Sequence, residues 1–323
     1  MSTYKEINGQ KIQNVSSDPP ASFTGQVWYN STSGALKVDT GALVGVWATG
    51  GAMNTARNAL AGAGIQTAAL AFGGAFPAKA ETESYNGTSW TEVNDLNTAR
   101  WGLGGAGTNT AALAFGGFSP SPPAYKAQTE TWNGTNWTEV NDLGTARYNL
   151  VGAGTNTAAL AFGGSPGGGL TETWNGTNWT EVNDLNTVRG SMGAAGTNTA
   201  ALGFGGGPSP LSAATEIWNG TNWTEVNDLN TARYALEGVG ATNTAALAFG
   251  GRLGPPGNVT NTETWNGTNW TEGNDLNTAV YDLAGAGTNT AALAFGGYIP
   301  PGAATAATEE WSLAGGIVTI TTS

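Results

Sequence analysis

Five arginines stand at equivalent places along the chain: Arg57, Arg100, Arg147, Arg189 and Arg233, with Val280 where a sixth would fall. They make up five of only 11 cations in 323 residues. A guanidinium is a planar fork of donors that matches a carboxylate. The residue after each of these six places varies, running Asn58, Trp101, Tyr148, Gly190, Tyr234 and Tyr281. Large aromatics of this kind stack on sugar faces. The candidate ligand-binding residues are therefore Arg57, Arg100, Trp101, Arg147, Tyr148, Arg189, Arg233, Tyr234 and Tyr281, and their chemistry suits an acidic ligand that carries a ring. A second reading stays open beside it. Four of the five arginines have an aspartate five positions earlier, as Asp95 precedes Arg100, and such pairs would merely tie neighbouring elements together. Arg57 has Ala52 there instead, so that pairing fails for one repeat.

Composition removes most other chemistry. Histidine and cysteine are both absent, which excludes disulfides, imidazole or thiolate metal sites, cysteine nucleophiles and Ser-His-Asp triads. No cofactor is expected. A net charge of −12 argues against a nucleic-acid partner, because phosphate binding needs a concentrated basic surface. No apolar run approaches the roughly 18 residues that span a bilayer, and residues 1–20 lack the apolar stretch of a secretory signal, so neither membrane insertion nor Sec export is expected. Gly 51 and Pro 13 are high but short of low-complexity disorder, and 13 Trp demand a packed interior.

The elements that must position the arginines are repeats. Ala-Ala-Leu-Ala-Phe-Gly-Gly recurs, with at most one change, in six copies ending at Gly74, Gly117, Gly164, Gly206, Gly251 and Gly297. Its phenylalanines lie 42 to 47 residues apart, a period that suits a four-stranded propeller blade. Each period reads as four short strands, exemplified by residues 147–154, 157–164, 171–174 and 178–182. The first is rich in Gly and Ala and is expected innermost. The second is apolar on both faces and is expected between neighbours. The third and fourth meet at Asn-Gly, a strong hairpin signal. The last period lacks a fourth strand, whereas residues 47–57 align without a gap on 90–100. Residues 43–48 are therefore expected to complete the sixth blade.

The apolar run before Gly-Gly, the aromatic in the next strand, the Trp after it and the Arg opening the following repeat resemble the kelch family of β-propellers. That resemblance implies an all-β, six-bladed kelch-type β-propeller over residues 43–311, closed by an N-terminal strand. Residues 1–42 would form a small β-hairpin anchor, and residues 312–323 a tail strand. In kelch substrate adaptors, arginines at the matching place line the channel mouth and bind acidic peptides, so an anion-reading ring is implied here. Residues 1–42 and the Asn-Gly-Thr-Asn-Trp-Thr-Glu-Val repeats also resemble fibre and other virion proteins of marine tailed phages such as cyanophages. This implies a virion protein on the particle surface, joined to other virion proteins through residues 1–42 and able to oligomerise there.

Differences between the near-identical repeats concentrate in two zones. One is the loop after each Gly-Gly, which holds 11 of the 13 prolines. The other is the pair of residues after each arginine. In a kelch ring both zones map to one face, which points to a common recognition surface. The expected function is host-surface binding, of a glycan or a protein, without enzymatic activity. The alternatives are a purely structural decoration, a sialidase-like hydrolase and a cellular kelch adaptor. A kelch copper oxidase is excluded by the missing His and Cys, and the sialidase reading suffers because these arginines repeat instead of standing apart. Asn-Gly-Thr matches a glycosylation sequon, but the turn explains it. Asp95, Asp142, Asp184, Asp228 and Asp275 are expected to cap or to face solvent, not to bind calcium.

Overall fold

A computed structural model describes residues 6–7, 10–19, 26–75, 77–120, 123–207, 211–254, 257–299 and 301–320. They divide into two compact units, residues 47–312 and residues 1–46 with 313–323. The described residues are all-β, built mainly of four-stranded antiparallel sheets that repeat one strand pattern.

One repeat shows how the sequence makes a sheet. Val151–Gly154, Ala159–Phe162, Thr171–Trp174 and Trp179–Val182 pair in chain order, with Val151 opposite Phe162, Phe162 opposite Thr171, and Thr171 opposite Val182. The second strand is buried along its whole length, as its lack of polar alternation requires. The turn after Trp174 spans four residues. Its Asn175 side chain accepts the backbone N–H groups of Thr177 and Asn178, and Gly176 takes the positive φ of 93°. The Asn-Gly pair thus serves through side-chain capping. The same order recurs in the sheets beginning at Ala61, Gly104, Gly193 and Glu237.

A further sheet contains Ala284–Gly287, Ala291–Phe295 and Thr308–Ile320 in that order, and then Ala35–Thr49. Within the larger unit, residues 47–49 supply the place that Trp90–Val93 fills in the first repeat; of residues 43–48, expected there, only 47 and 48 belong to this unit, and 43–46 belong to the smaller one. Trp47 lies 5.3 Å from Trp311, and Gly50 N–H donates to the Thr308 carbonyl at 2.8 Å. In the smaller unit, Val27–Asn30 forms a hairpin with Ala35–Thr49, pairing Val27 with Val38 and Asn30 with Ala35, and Gln13–Val15 lies parallel to it. Of the expected anchor, residues 1–5, 8–9 and 20–25 lie outside the described residues.

Neighbouring sheets meet through one repeated contact. Each outer-strand Trp packs on a Phe of the preceding sheet: Trp90 on Phe295, Trp137 on Phe72, Trp179 on Phe115, Trp223 on Phe162, Trp270 on Phe204 and Trp47 on Phe249, at 4.8 to 5.0 Å between ring centroids. Each indole N–H also donates to a Thr of that sheet, as Trp137 to Thr82 and Trp47 to Thr262, both at 3.0 Å. Trp47 thus makes the same two contacts as its five counterparts. The first strands of neighbouring repeats approach so closely at their glycines that a side chain there has no room. A Cβ at Gly152 would lie 2.4 Å from the Gly105 carbonyl oxygen, and one at Gly62 the same distance from that of Gly285.

Replacing Trp47 with Ala removes a buried ring, its two aromatic neighbours and one hydrogen bond. The substitution is expected to cost about 3–5 kcal/mol, read as a lower midpoint of chemical denaturation. An unchanged midpoint would show that residues 47–49 contribute nothing to this sheet.

Candidate functional site

The five arginines do not line a channel mouth. Each lies four residues ahead of the first strand of its repeat, with its guanidinium turned into the sheet, where it meets a glutamate of the third strand. The pairs are Arg57 with Glu83 at 3.0 Å, Arg100 with Glu130 at 2.9 Å, Arg147 with Glu172 at 2.8 Å, Arg189 with Glu216 at 3.1 Å and Arg233 with Glu263 at 2.5 Å. All ten side chains are buried. The guanidinium groups also reach carbonyls of the second strand, as Arg147 does at Ala161. Burial holds the guanidinium pKa of Arg57, Arg100, Arg147 and Arg189 below its ordinary value, and the paired glutamate opposes that shift. The anion-reading ring expected of Arg57, Arg100, Arg147, Arg189 and Arg233 is therefore corrected. The reason is that their charge is already met inside the sheet.

The structure also corrects the alternative partner. Asp95 accepts the backbone N–H of Thr82 at 3.1 Å, and Asp142, Asp184, Asp228 and Asp275 do the same for Thr129, Thr171, Thr215 and Thr262. These are the capping roles expected of them. The glutamates have a second task. Glu130 accepts both the backbone N–H and the side-chain amide of Asn97, which pins the Asn-Thr-Ala-Arg segment arriving from the previous sheet. Glu309 keeps this task at Asn277 even though Val280 stands in place of arginine, and a cavity of about 20 Å³ adjoins both side chains. A glutamate in every third strand, in step with the arginines, was the signal that identifies the pair.

With the arginines withdrawn, the two variable zones remain, and backbone pairing joins them. Antiparallel bridges link Asn58 to Ala75, Trp101 to Phe118, Tyr148 to Ser165, Gly190 to Gly207, Tyr234 to Arg252 and Tyr281 to Tyr298. The residue after each arginine is thereby held beside the first residue of the post-Gly-Gly loop. Three of these loops form hairpins of their own: Phe118–Pro120 with Pro123–Tyr125, Arg252–Gly254 with Gly257–Asn258, and Tyr298–Ile299 with Ala303–Ala304. The loop residues 76, 121–122, 208–210, 255–256 and 300 lie outside the described residues.

The bridges gather aromatic rings. Tyr125 stacks on Tyr148 of the next repeat at 5.2 Å and 8°, while Trp101 lies 5.3 Å from Phe118 and 5.4 Å from Tyr148. Tyr125 is 47% exposed, and the other three rings are half-buried. A second group pairs Tyr281 with Tyr298 at 5.3 Å and places Arg252 5.0 Å over the Tyr281 ring. Trp101, Tyr148, Tyr234 and Tyr281 are all half-buried, so none is sealed between sheets.

One residue further on, Ala59, Gly102, Asn149, Ser191, Ala235 and Asp282 all take positive φ, between 51° and 61°. Each donates its N–H to the carbonyl of the preceding member, and the last bond, from Ala59 to Asp282, returns to the start. Left-handed backbone costs a non-glycine residue roughly 1–2 kcal/mol, and this hydrogen bonding holds five of them there. These residues line a cavity of about 150 Å³ that also holds Glu237. Among the described residues, the only ionisable side chains lining it are Glu237 and Asp282. Burial pushes the Glu237 carboxyl up to about 8. Burial also raises Asp282, to about 6, against the opposing effects of Arg252 and of the Asn58 side chain.

Set beside known proteins, the chain matches no protein-family model, and no curated protein is significantly similar to it.

Two outcomes follow from the charges. Arg147→Ala leaves Glu172 buried without its counter-charge and is expected to lose about 3–5 kcal/mol of stability in denaturant titration. A surface role for Arg147 would leave stability nearly unchanged. Glu237 holds its proton more tightly folded than unfolded. Its contribution is full below the ordinary carboxylate range and is lost as pH rises towards 8. Glu237→Gln is expected to match the wild type near pH 4 and to exceed it by a few kcal/mol at pH 8, on the order set by such a shift. Parallel melting curves across that window would contradict this.

Proposed function

We propose that this chain is a non-enzymatic recognition protein, a closed six-bladed propeller of the kelch type whose variable loops meet a ligand on a cell surface. The closed ring is supported by two cycles, the six Trp-on-Phe contacts and the six backbone hydrogen bonds, each returning to its first member. A virion location, with residues 1–42 as the attachment segment to other virion proteins, rests on the resemblance of those residues to phage virion proteins.

The observation that carries the binding function is the group formed by Trp101, Phe118, Tyr125 and Tyr148. Two neighbouring repeats contribute to it, and it keeps an open tyrosine face although 323 residues offer ample interior for such rings. Aromatic rings of this kind give a rigid apolar platform with polar tips, which suits sugar faces. Proline-rich loops present them with little entropy to lose. Weak single sites would be summed by many copies on one particle.

The test is binding of the full chain, displayed multivalently on beads, to marine cyanobacterial cells. Trp101→Ala combined with Tyr148→Ala is expected to lower binding at least tenfold while leaving the melting temperature within a few degrees. Equal binding by both proteins, or none by either, would favour a purely structural decoration.

A further inference from the structure

Glu237 and Asp282 break the pattern of the repeats. Four residues after each arginine place the series runs Ala61, Gly104, Val151, Gly193, Glu237 and Ala284, so a carboxyl stands once where five repeats carry small or apolar residues. Asp282 likewise takes a left-handed position filled elsewhere by Ala59, Gly102, Asn149, Ser191 and Ala235. Both carboxyls line the same cavity of about 150 Å³, which starts at those left-handed residues, directly after the variable position of each repeat, and runs along the first strands. A second cavity of about 110 Å³ shares Gly62, Gly152, Ala194, Gly238 and Gly285 with the first, and Gly, Ala and Val239 alone line it. Polar side chains are thus gathered at the end next to the variable positions. Among the described residues, the Glu237 carboxyl accepts one hydrogen bond, from the N–H of its own neighbour Gly238 at 3.0 Å. The strands packed around it, Gly193–Thr197, Ala200–Phe204, Ala245–Phe249 and Ala284–Gly287, bring no charged side chain. Its remaining acceptor capacity opens into the cavity. Asp282 is engaged already, by the Asn58 side chain and the charge of Arg252.

We propose that this axial cavity takes a primary ammonium group, that of an amino sugar, with Glu237 as its anchoring acceptor. The proposal rests on the recognition face proposed above and gives it an axial site with its own ligand group. An ammonium has three donors and no acceptor, which matches a cavity whose ionisable side chains are both carboxyls and which also offers the side-chain oxygens of Asn149 and Ser191. A bare divalent metal is poorly served there, because calcium takes six or more oxygens and no three acidic side chains converge among the described residues. Room is sufficient: one water needs about 10–15 Å³ of such space, so the group enters with waters around it. The sugar ring would stay beside Tyr234 and Tyr281, which directly precede Ala235 and Asp282 at the rim. On binding, the Glu237 proton passes to solvent and the ammonium N–H groups take its place on the carboxylate. Burial, which holds that proton on the empty site up to about pH 8, is then offset by the opposite charge.

Titration of the full chain with glucosamine and with neutral N-acetylglucosamine at pH 6.5, followed by saturation-transfer NMR, tests the site. The wild type is expected to bind glucosamine at least fivefold more tightly. Because Glu237 must ionise to meet the ammonium, calorimetry in buffers of different ionisation heat is expected to show release of about one proton per glucosamine. Glu237→Gln is expected to remove both the preference and the proton release while melting no lower than the wild type, and Asp282→Asn to weaken the preference. Equal binding of the two sugars, no binding, no proton release, or a preference that survives Glu237→Gln would overturn the site. So would Nα-acetyl-lysine amide binding as tightly as glucosamine, which would assign the cavity to peptides. Failure here with cell binding still dependent on Trp101 and Tyr148 would remove the axial site alone. Cell binding indifferent to those two residues would remove the recognition face.

Discussion

Every sheet of the larger unit depends on a neighbour to cover it, and the cover is the same each time: a Trp from one outer strand seated on a Phe of the preceding sheet, with its indole N–H on a Thr. A single four-stranded sheet of this composition could not stand alone, since its second strand is apolar on both faces and three or more strands need a packed face to be stable. The contact fixes the spacing between sheets. That spacing in turn favours Gly and Ala in the first strand of each repeat, where a Cβ at Gly62 or Gly152 would meet the backbone of the adjacent repeat. It also explains the heavy use of Trp in a chain with few large aliphatic residues.

Charge is managed inside the repeats. Five guanidinium groups and their glutamates are enclosed together, and those same glutamates clasp the segment that arrives from the previous sheet. Enclosed pairs of this kind add little net stability over apolar packing, but losing one partner is costly, so they act as a lock on the path of the chain. Each pair is neutral as a unit, so the net charge of −12 rests on the remaining six cations and 18 carboxylates. The recognition proposed for the variable loops would then rely on rings, on hydrogen bonds and on the few cations outside the sheets, of which Lys79 is already paired with Glu81.

The division of labour within a repeat is spatial. Residues that meet the neighbouring sheet hardly change from copy to copy, whereas the position after the arginine and the first loop residue vary together and are joined by a backbone bridge. A change in either alters the same patch of surface without touching the packing beneath. The left-handed position one step further is held by a hydrogen bond from its own backbone, so its side chain is free to differ, from Ala59 to Asn149 to Asp282. That is how near-identical repeats come to present a face on which no two sectors are alike.

Periodicity alone determined the four-strand repeat, the order of its strands and the place of Trp47 and Ala48, though not the bounds 43–48 expected there, because the pattern of apolar and turn residues recurs six times and each strand pairs with the next in sequence. The capping aspartates were legible for the same reason, and the nearness of the two variable zones was what the kelch resemblance implied. The arginines were not. A guanidinium is chemically suited both to an open carboxylate ligand and to a buried glutamate, and its partner sits 25 to 30 residues away on the third strand, as with Arg147 and Glu172 or Arg233 and Glu263. The hairpins inside the loops were hidden by proline and by the absence of any repeat to compare. Only the tertiary structure decided which cations stay free, because exposure follows from how the sheets pack and not from residue type.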